Sequence, residues 1–285
     1  MVQNVTALDA RLLFLRGLGL LEECSGRVTP ARTLSLVRRL GLVQLDSINI
    51  VERAHHHVLW SRLRSYRPSL LDGLHRSGKV FEHWTHDASL IPSELFPHWR
   101  HRFARVAWGS WLQRQMGPDD ARTLEEVIER VRREGPVLAR DFERAGAKGG
   151  PWWDWKPAKA ALEYWWRTGE LAVAGRGGPG GFEKIYDLSE RVLPEFHGVP
   201  APDLGGHVAW ACATALDRLG IATAREISAF WALITPAQAS AWGTSAVASG
   251  EAERVRVEPG GGKKSPEAFG LAGWRDRAAR AHEES

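Results

Sequence analysis

Residues 157–188 read PAKAALEYWWRTGELAVAGRGGPGGFEKIYDL, a helix-like segment followed by two strand-like segments. The helix is predicted to end before Gly169, because glycine suits the left-handed conformation that closes many helices. Leu171–Ala174 and Lys184–Leu188 are predicted to form the two strands of a hairpin. Two further helix-like segments precede this stretch, the first over Thr123–Glu134 and the second after a short extended piece. This order of elements is the layout of a winged helix, a helix-turn-helix unit that carries a β wing.

The same order of elements recurs three times along the chain. Two glycines mark each unit, because one closes its first helix and the other closes the helix before its hairpin. These glycines are Gly41, Gly78, Gly135, Gly169, Gly220 and Gly250. Such a recurrence is typical of an array of small domains. The sequence therefore predicts a mainly α protein with small β wings, built from tandem winged-helix domains.

We place the three predicted winged-helix domains at residues 1–100, 101–197 and 207–258. The stretch His197–Gly206 contains two prolines and is predicted to be the linker before the third domain. Residues 259–285 are rich in glycine, alanine and charge and show no alternating strand pattern. We therefore expect them to be a disordered or truncated tail.

The composition is that of a globular, intracellular protein. The chain has 285 residues, 44% of them hydrophobic, and a formal net charge of +4, which permits a polyanionic partner without requiring one. Cys24 and Cys212 are too few and too far apart for a disulfide framework or a cysteine-based zinc site. The charges within Ala7–Leu21 distinguish the first helix from a signal peptide or a membrane span. We expect a cytoplasmic monomer with no membrane partner.

Three glycines of the second hairpin, Gly175, Gly177 and Gly180, match the spacing of a dinucleotide-binding fingerprint. That fingerprint requires a helix directly after the glycines, because the helix N-terminus holds the pyrophosphate. Here the next segment is strand-like. We interpret the glycines as the loop of a wing.

The stretch Gly41–Ile50, GLVQLDSINI, places two polar side chains in an otherwise apolar run. Residues two apart in a strand point the same way, so Gln44 and Asp46 are predicted to share one face. The pattern leaves two interpretations open. In the first, Asp46 or Ser47 caps a helix that begins near Ile48, and the glutamine is merely solvated. In the second, the amide and the carboxylate act together on a ligand.

Two stretches of the first unit, RLGLVQLDSINIVERAHHHVLWSRL (39–63) and KVFEHWTHDASLIPSELFP (79–97), closely resemble the AlkZ/YcaQ-like family of bacterial DNA glycosylases. The resemblance continues through WKPAKAALEYWWRTGELAVAGR (155–176) and YDLSERVLP (186–194) and weakens in the third unit. In that family the chemistry is carried by Gln, an aliphatic residue and then Gln or Asp. The motif stands here as Gln44-Leu45-Asp46, which resembles the Gln-aliphatic-Asp branch of the family.

The resemblance implies hydrolysis of the N-glycosidic bond of N7-alkylated guanine in double-stranded DNA, including the unhooking of interstrand crosslinks. The alkylated base carries positive charge, and its departure builds positive charge on the sugar. Asp46 could stabilise this charge or activate a water, while Gln44 positions the water or the sugar. Such a reaction needs neither metal nor cofactor. With water as the nucleophile, we expect an abasic site and no strand break, in a protein associated with the nucleoid.

Three residues that follow the motif along one predicted helix, Arg53, His56 and Arg62, are candidate contacts to the DNA backbone. The alternative for them is a solvated or salt-bridged face. The histidines at 55–57 suggest a metal site, but consecutive residues of a helix point in different directions, so we expect no metal. Packing, capping or phosphate contact is the expected role of these histidines.

Further candidate DNA contacts lie in the two hairpin regions. His86 stands at a position that the resemblance also marks, and Glu82 of the same hairpin is expected to orient a neighbour or to pair with an arginine. Lys156 and Lys159 lie on the predicted recognition helix of the second unit and are plausible phosphate contacts. The alternative for both lysines is an ordinary exposed helix face.

Members of the family usually continue into a C-terminal β-barrel that helps to hold DNA, and no barrel is predicted in this sequence. Two other functions therefore stay open: a non-catalytic winged-helix protein that binds or regulates DNA, and an inactive truncated paralogue. Asp46 discriminates between these functions and catalysis. A carboxylate that faces DNA repels phosphate, yet it is useful to a reaction that creates a cation.

Overall fold

The computed structural model describes residues 2–22, 25–107, 120–142, 157–178, 181–258 and 266–285, and this part of the chain is mainly helical with small sheets. The helices are α1 (Ala7–Gly17), α2 (Pro30–Leu40), α3 (Ala54–Trp60), α4 (Pro68–Arg76), α5 (Phe96–Ala107), α6 (Asp120–Glu134), α7 (Pro157–Arg167), α8 (Ser189–Val192), α9 (Leu204–Leu219), α10 (Ala224–Trp231), α11 (Pro236–Ser249) and α12 (Trp274–Glu284). The strands are β1 (Gln3–Val5), β2 (Val43–Gln44), β3 (Val80–Trp84), β4 (Ala88–Pro92), β5 (Val137–Leu138), β6 (Leu171–Gly177), β7 (Glu183–Leu188), β8 (Ile221–Ala222), β9 (Ala252–Val257) and β10 (Glu267–Leu271). Short 3₁₀ helices cover Ser93–Leu95 and Ala139–Phe142. Within these ranges, every helix is too short or too polar to span a lipid bilayer.

Three sheets repeat one topology, with strand orders β2-β4-β3, β5-β7-β6 and β8-β10-β9. In each sheet a short strand pairs antiparallel with the second strand of a hairpin. β1 extends the third sheet by pairing parallel with β9. The predicted threefold recurrence is confirmed for the sheets, whereas a 3₁₀ helix, Ala139–Phe142, is described where the second helix of the second repeat was predicted. The hairpin predicted around the glycines of the second unit is confirmed, because β6 and β7 pair antiparallel, but Gly175 and Gly177 lie within β6 and not in its loop. Gly180 lies outside the described residues.

The glycines that close the first helix of each unit have the backbone conformation expected of them. Gly41, Gly135 and Gly220 have φ angles of 84°, 86° and 74°. At Gly41 a side chain would also collide, because its Cβ would lie 2.6 Å from Cη2 of the buried Trp231 ring. Glycine is therefore required at this helix end both for its conformation and for the close approach of the ring.

The helix predicted to begin near Ile48 begins instead at Ala54. Residues 45–53 lack regular structure, and Ile48, Ile50 and Val51 are 66%, 90% and 88% exposed. A helix through this stretch would bury no apolar face, and β-branched residues lose side-chain freedom in a helix. The interpretation of Asp46 or Ser47 as the cap of this helix is therefore wrong.

Contacts divide the chain into two compact units. The first comprises residues 1–41, 56–66 and 202–285, and the second comprises residues 42–55 and 67–201. Residues 1–41 and 56–66 thus belong with the third sheet, whereas residues 42–55 and 67–100 of the first predicted domain belong to the other compact unit. The two compact units do not coincide with the three predicted domains. The boundaries of those domains stay a prediction.

In the first compact unit, elements from both ends of the chain share one core. Val5, Leu13 and Trp274 are buried in a single cluster, and Phe269 of β10 is buried as well. Residues 266–285 therefore form a strand and a helix, and the expectation of a disordered tail is wrong for this part of it. The physical reason is that two large aromatic side chains supply apolar surface for burial, which the glycine-rich and charged composition of the tail concealed.

In the second compact unit, the first and second sheets pack around Trp166. Its fully buried ring donates a hydrogen bond from Nε1 to the carbonyl oxygen of Glu82 at 2.9 Å. His83 packs against the same ring, and its Nε2 lies 3.2 Å from the carbonyl oxygen of Trp166. Burial, helped by the charge of Arg102, lowers the pKa of His83 to about 3. The imidazole is therefore neutral near pH 7 and carries its proton on Nε2, since a carbonyl can only accept.

Candidate active site

Gln44 lies on the free edge of the first sheet. It ends β2, which pairs with β4 on its other side in the register Val43 with Leu90 and Gln44 with Ser89. Val43 is buried and Gln44 is exposed, so the alternation predicted for this strand is confirmed at these two residues. Among the described residues, the side-chain amide of Gln44 has no hydrogen-bond partner. It is available to a ligand.

Asp46 stands two residues further on and is held by two hydrogen bonds. Its backbone N–H donates to Nδ1 of His55 at 3.1 Å, and its Oδ1 accepts from the backbone N–H of Ile48 at 2.8 Å. The second bond forms an Asx turn, which orients the carboxylate. Its other oxygen, Oδ2, accepts no hydrogen bond from the residues that the structure describes. One carboxylate oxygen therefore stays available close in sequence to the exposed amide.

The turn of the β3–β4 hairpin borders this strand end. The N–H of Leu45 donates to the carbonyl oxygen of Ala88 at 2.8 Å, which extends the pairing of β2 with β4 by one residue. His86 and Asp87 form the turn and are exposed. The structure thus brings the predicted residue His86 to the end of the sheet that carries the Gln-aliphatic-Asp motif.

His55 positions Asp46, a role that the sequence analysis missed. Because Nδ1 accepts the Asp46 N–H, the neutral ring carries its proton on Nε2. The imidazole stacks on Phe182, with ring centroids 6.3 Å apart and planes 22° apart. Two guanidinium groups also lie over the Phe182 ring, those of Arg53 at 4.3 Å and Arg176 at 4.0 Å. No sequence signal links His55 to Phe182, because Phe182 lies far along the chain, directly before β7 of the second sheet.

Arg176 connects the Phe182 ring to a buried carboxylate. Its Nη2 and Nε donate to Oε1 and Oε2 of Glu82 at 2.7 and 2.9 Å, and its Nη1 donates to the carbonyl oxygen of Phe182 at 2.7 Å. The Glu82 side chain is completely buried, so the expected pairing of Glu82 with an arginine is confirmed. A continuous set of contacts runs from Glu82 through Arg176 and Phe182 to His55 and Asp46.

Three predicted DNA contacts belong to the second compact unit or lie outside the described residues. Arg53 is half-buried against Phe182, and its buried Nε has no hydrogen-bond partner among the described residues. Lys159 is exposed on α7, and Lys156 lies outside the described residues. Their contacts with DNA stay predictions.

His56 and Arg62 are occupied by contacts in the first compact unit. His56 is only 6% exposed, and its Nδ1 lies 2.8 Å from the Tyr66 hydroxyl. Arg62 donates from Nε to the carbonyl oxygen of Leu18 at 2.6 Å and from Nη1 to that of Val58 at 2.8 Å. The prediction of a phosphate contact by His56 disagrees with this environment, because a buried ring cannot reach a phosphate. Packing, the alternative role, explains His56.

The consecutive histidines lie in different surroundings. His55 contacts the motif, His56 contacts Tyr66, and His57 is exposed. Within the described parts of the chain, His, Cys, Asp and Glu side chains form no group of three that could hold a metal ion.

A second concentration of charge lies in the first compact unit, where arginines line a cleft of about 370 Å³. These arginines are Arg16, Arg38, Arg39, Arg218 and Arg277. Arg218 donates to the carbonyl oxygen of Arg38 at 2.7 Å, and Arg39 donates to that of Arg16, so both guanidiniums satisfy carbonyls at helix C-termini. This cluster is explained by the folding of the helices, and the candidate active site stays with Gln44 and Asp46.

Two comparisons with known proteins bear on this site. A family model described as "DNA glycosylase AlkZ-like" matches residues 37–284. The solved structure of Streptomyces sahachiroi DNA glycosylase AlkZ is similar to this chain with a TM-score of 0.64 and 14% sequence identity, over 97% of this chain and 72% of that one. At this identity the likeness shows the fold alone, which is AlkZ-like. Because the family model spans most of the chain, including the Gln-aliphatic-Asp motif, the chain belongs to the AlkZ-like family of DNA glycosylases.

Proposed function

We propose that this protein is a monofunctional DNA glycosylase that hydrolyses the N-glycosidic bond of N7-alkylated guanine in duplex DNA. Its proposed substrates include guanines joined in interstrand crosslinks. The observation that supports the proposal is the availability of both polar groups of the motif. The Gln44 amide at the end of β2, and the Oδ2 atom of Asp46 two residues beyond it, have no hydrogen-bond partner among the described residues. Such a substrate implies that the protein works at the nucleoid in the cytoplasm.

The proposed chemistry uses the two groups differently. The alkylated guanine leaves as a neutral base, and the positive charge passes to the deoxyribose as the N-glycosidic bond breaks. The Asp46 carboxylate stabilises the sugar cation and accepts a proton from the attacking water. The Gln44 amide, which can both donate and accept, holds that water or the sugar. The water oxygen bonds to C1′ of the sugar, so the product is an abasic site in an unbroken strand.

We further propose that each repeat of helix, short strand, two helices and hairpin is a winged helix, so that the protein is a tandem array of three. The recurrence of one strand order in all three sheets supports this assignment. An array of small domains suits a crosslinked base, because a base that is tethered to the opposite strand cannot enter the closed pocket of a base-flipping enzyme. Arg53, His86, Lys156 and Lys159 are the proposed contacts to DNA.

The function is tested with a duplex that carries a single N7-methylguanine. We expect the wild-type protein to release the methylated base and to leave sites that break only after alkali treatment. A matched duplex with unmodified guanine should stay intact. Unhooking is tested separately with a duplex crosslinked through two N7 atoms, whose strands should separate on a denaturing gel after treatment. Tight binding of the methylated duplex without base release would instead favour a non-catalytic DNA-binding protein or an inactive paralogue.

A prediction for His55 tests how Asp46 is positioned. Replacing His55 with Phe keeps a ring on Phe182 but removes the acceptor of the Asp46 N–H. Because one such hydrogen bond is worth about 1 kcal/mol, base release is expected to slow by about fivefold to tenfold, with little change in DNA affinity. His55→Asn places an amide oxygen near the position of Nδ1, so it should retain more activity than His55→Phe. Equal losses in both variants, matched by equal losses of thermal stability, would show that the ring acts only in packing.

A further inference from the structure

Three aliphatic side chains next to the motif are exposed to an unusual degree. Ile48, Ile50 and Val51, here called the apolar tip, lie within four consecutive residues and are 66%, 90% and 88% exposed. A single exposed aliphatic residue is ordinary, but a concentration of exposed apolar residues in one short loop indicates a site of interaction. The tip has no part in the core, and the chemistry proposed for Gln44 and Asp46 does not use it.

The apolar tip is carried by a loop that is closed at its base. The loop begins at Asp46 and ends at His55, and these two residues are joined by the hydrogen bond from the Asp46 N–H to Nδ1. The bond from the Ile48 N–H to Asp46 Oδ1 fixes the first side of the loop, and the stacking of Arg53 on Phe182 fixes the second. A loop already held in this way loses little conformational freedom when it binds a partner.

The base stack of duplex DNA offers an apolar surface to which the tip can bind. The faces of the stacked bases are apolar, and proteins that distort DNA insert aliphatic side chains between them. Ile48 lies two residues beyond Asp46, so their Cα atoms are at most ~7 Å apart. This distance corresponds to about two base steps, at 3.4 Å per step. When Asp46 reaches the sugar of the lesion, the tip therefore reaches the neighbouring bases.

We propose that Ile48, Ile50 and Val51 form a wedge that enters the base stack beside the alkylated nucleotide and opens it while Asp46 engages the sugar. This inference rests on the proposed function, since it assumes that Asp46 acts on the deoxyribose. The wedge gives the proposed enzyme a means to separate the lesion from its neighbour. For a crosslinked guanine, it opens the stack without swinging the base out.

The first test needs no catalysis. A duplex contains a tetrahydrofuran abasic-site analogue next to 2-aminopurine, whose fluorescence rises when it is unstacked. Binding of the wild-type protein is expected to raise the fluorescence, and binding of the double variant Ile50→Ser/Val51→Ser at saturation is expected to leave it near the level of free DNA. Leu204→Ser is the matched control, because Leu204 is also an exposed aliphatic residue, at the start of α9, and should behave as the wild type does. The substituted side chains are exposed, so thermal unfolding should be unchanged in all variants.

The second test measures release of N7-methylguanine. In a fully paired duplex the double variant should be slower by about 10- to 100-fold, because two aliphatic side chains lose their burial. In a duplex with a gap opposite the lesion, where the stack is already open, we expect a loss of less than about threefold.

The two proposals fail in different ways. Base release by the wild type without any rise in 2-aminopurine fluorescence would overturn the wedge and leave the proposed function standing. A rise in fluorescence that the double variant abolishes, without base release by the wild type, would support the wedge as a DNA contact and overturn the glycosylase. Sedimentation of the wild type as a dimer and of the double variant as a monomer would also overturn the wedge, because the tip would then be a surface for self-association.

Discussion

Replacement of Asp46 with Asn is expected to slow the release of N7-methylguanine by about 10²- to 10³-fold, the usual cost of removing one electrostatic stabiliser of a transition state. The asparagine retains an Oδ1 atom that can accept the Ile48 N–H, so the Asx turn and the loop should persist. The substitution removes the negative charge that is proposed to face the developing sugar cation. DNA affinity should stay the same or rise, because a carboxylate near phosphates is repulsive. Single-turnover base release and equilibrium DNA binding measure the two effects separately.

The matched control is Asp87→Asn. Asp87 is an exposed carboxylate at the hairpin turn that borders the same strand end, and its Oδ1 accepts the N–H of Ala88 at 2.8 Å. Asp87→Asn changes the net charge by the same amount as Asp46→Asn, and its Oδ1 atom can still accept the Ala88 N–H. If the position of the carboxylate decides the rate, base release by Asp87→Asn should stay within about twofold of the wild type. Equal losses at Asp46 and Asp87 would show that general electrostatics, and not a positioned carboxylate, governs the rate.

Replacement of Arg176 with Met is expected to lower the free energy of unfolding by about 3–5 kcal/mol, because it leaves the buried carboxylate of Glu82 without its partner. The two guanidinium hydrogen bonds to Glu82, at 2.7 and 2.9 Å, would both be lost. The double variant Glu82→Met/Arg176→Met should lose less free energy of unfolding than Arg176→Met, because no charge is then left buried without its partner. Urea unfolding of the wild type, both single variants and the double variant completes the cycle.

An exposed ion pair of the same compact unit provides the control. Lys79 and Glu195 are 3.2 Å apart and both exposed, so Lys79→Ala should cost less than about 1 kcal/mol. If Arg176→Met lowers the free energy of unfolding no more than Lys79→Ala does, or if the double variant is less stable than both single variants, the buried ion pair does not stabilise the fold in the way assigned to it.

Arg176→Met should also slow base release. It removes the guanidinium that lies over Phe182, and the same ring stacks on His55.

Several features followed from local sequence. Glycines with positive φ closed the helices as predicted, since the preference for this conformation belongs to the residue itself. The alternation of Val43 and Gln44 indicated which side chain would be exposed, because a strand has a period of two. The hairpin at Gly175 and Gly177 was likewise local. The resemblance of the Gln44-Leu45-Asp46 stretch to a glycosylase family was confirmed at the level of the family.

Other features depended on contacts between distant residues. No periodicity marked His55 as the acceptor of the Asp46 N–H, because its role depends on the path of an irregular loop. Glu82 and Arg176 are 94 residues apart, so pairing of Glu82 with an arginine could be expected, but neither the burial of the pair nor its partner could be identified. The tail was misjudged because two aromatic residues in a polar segment matter only once a core is present to receive them.

The sequence by itself determined the succession of helices and hairpins and the exposure of Gln44, because these depend on the conformational preferences and spacing of neighbouring residues. The Gln44-Leu45-Asp46 motif was identified by its resemblance to a family. The tertiary structure alone decided that β1 pairs with β9, that residues 266–285 form a strand and a helix, and that Phe182 supports His55 beside Asp46. These are encounters between segments far apart in the chain, and their free energy comes from the burial and charge pairing that arise only when the segments meet.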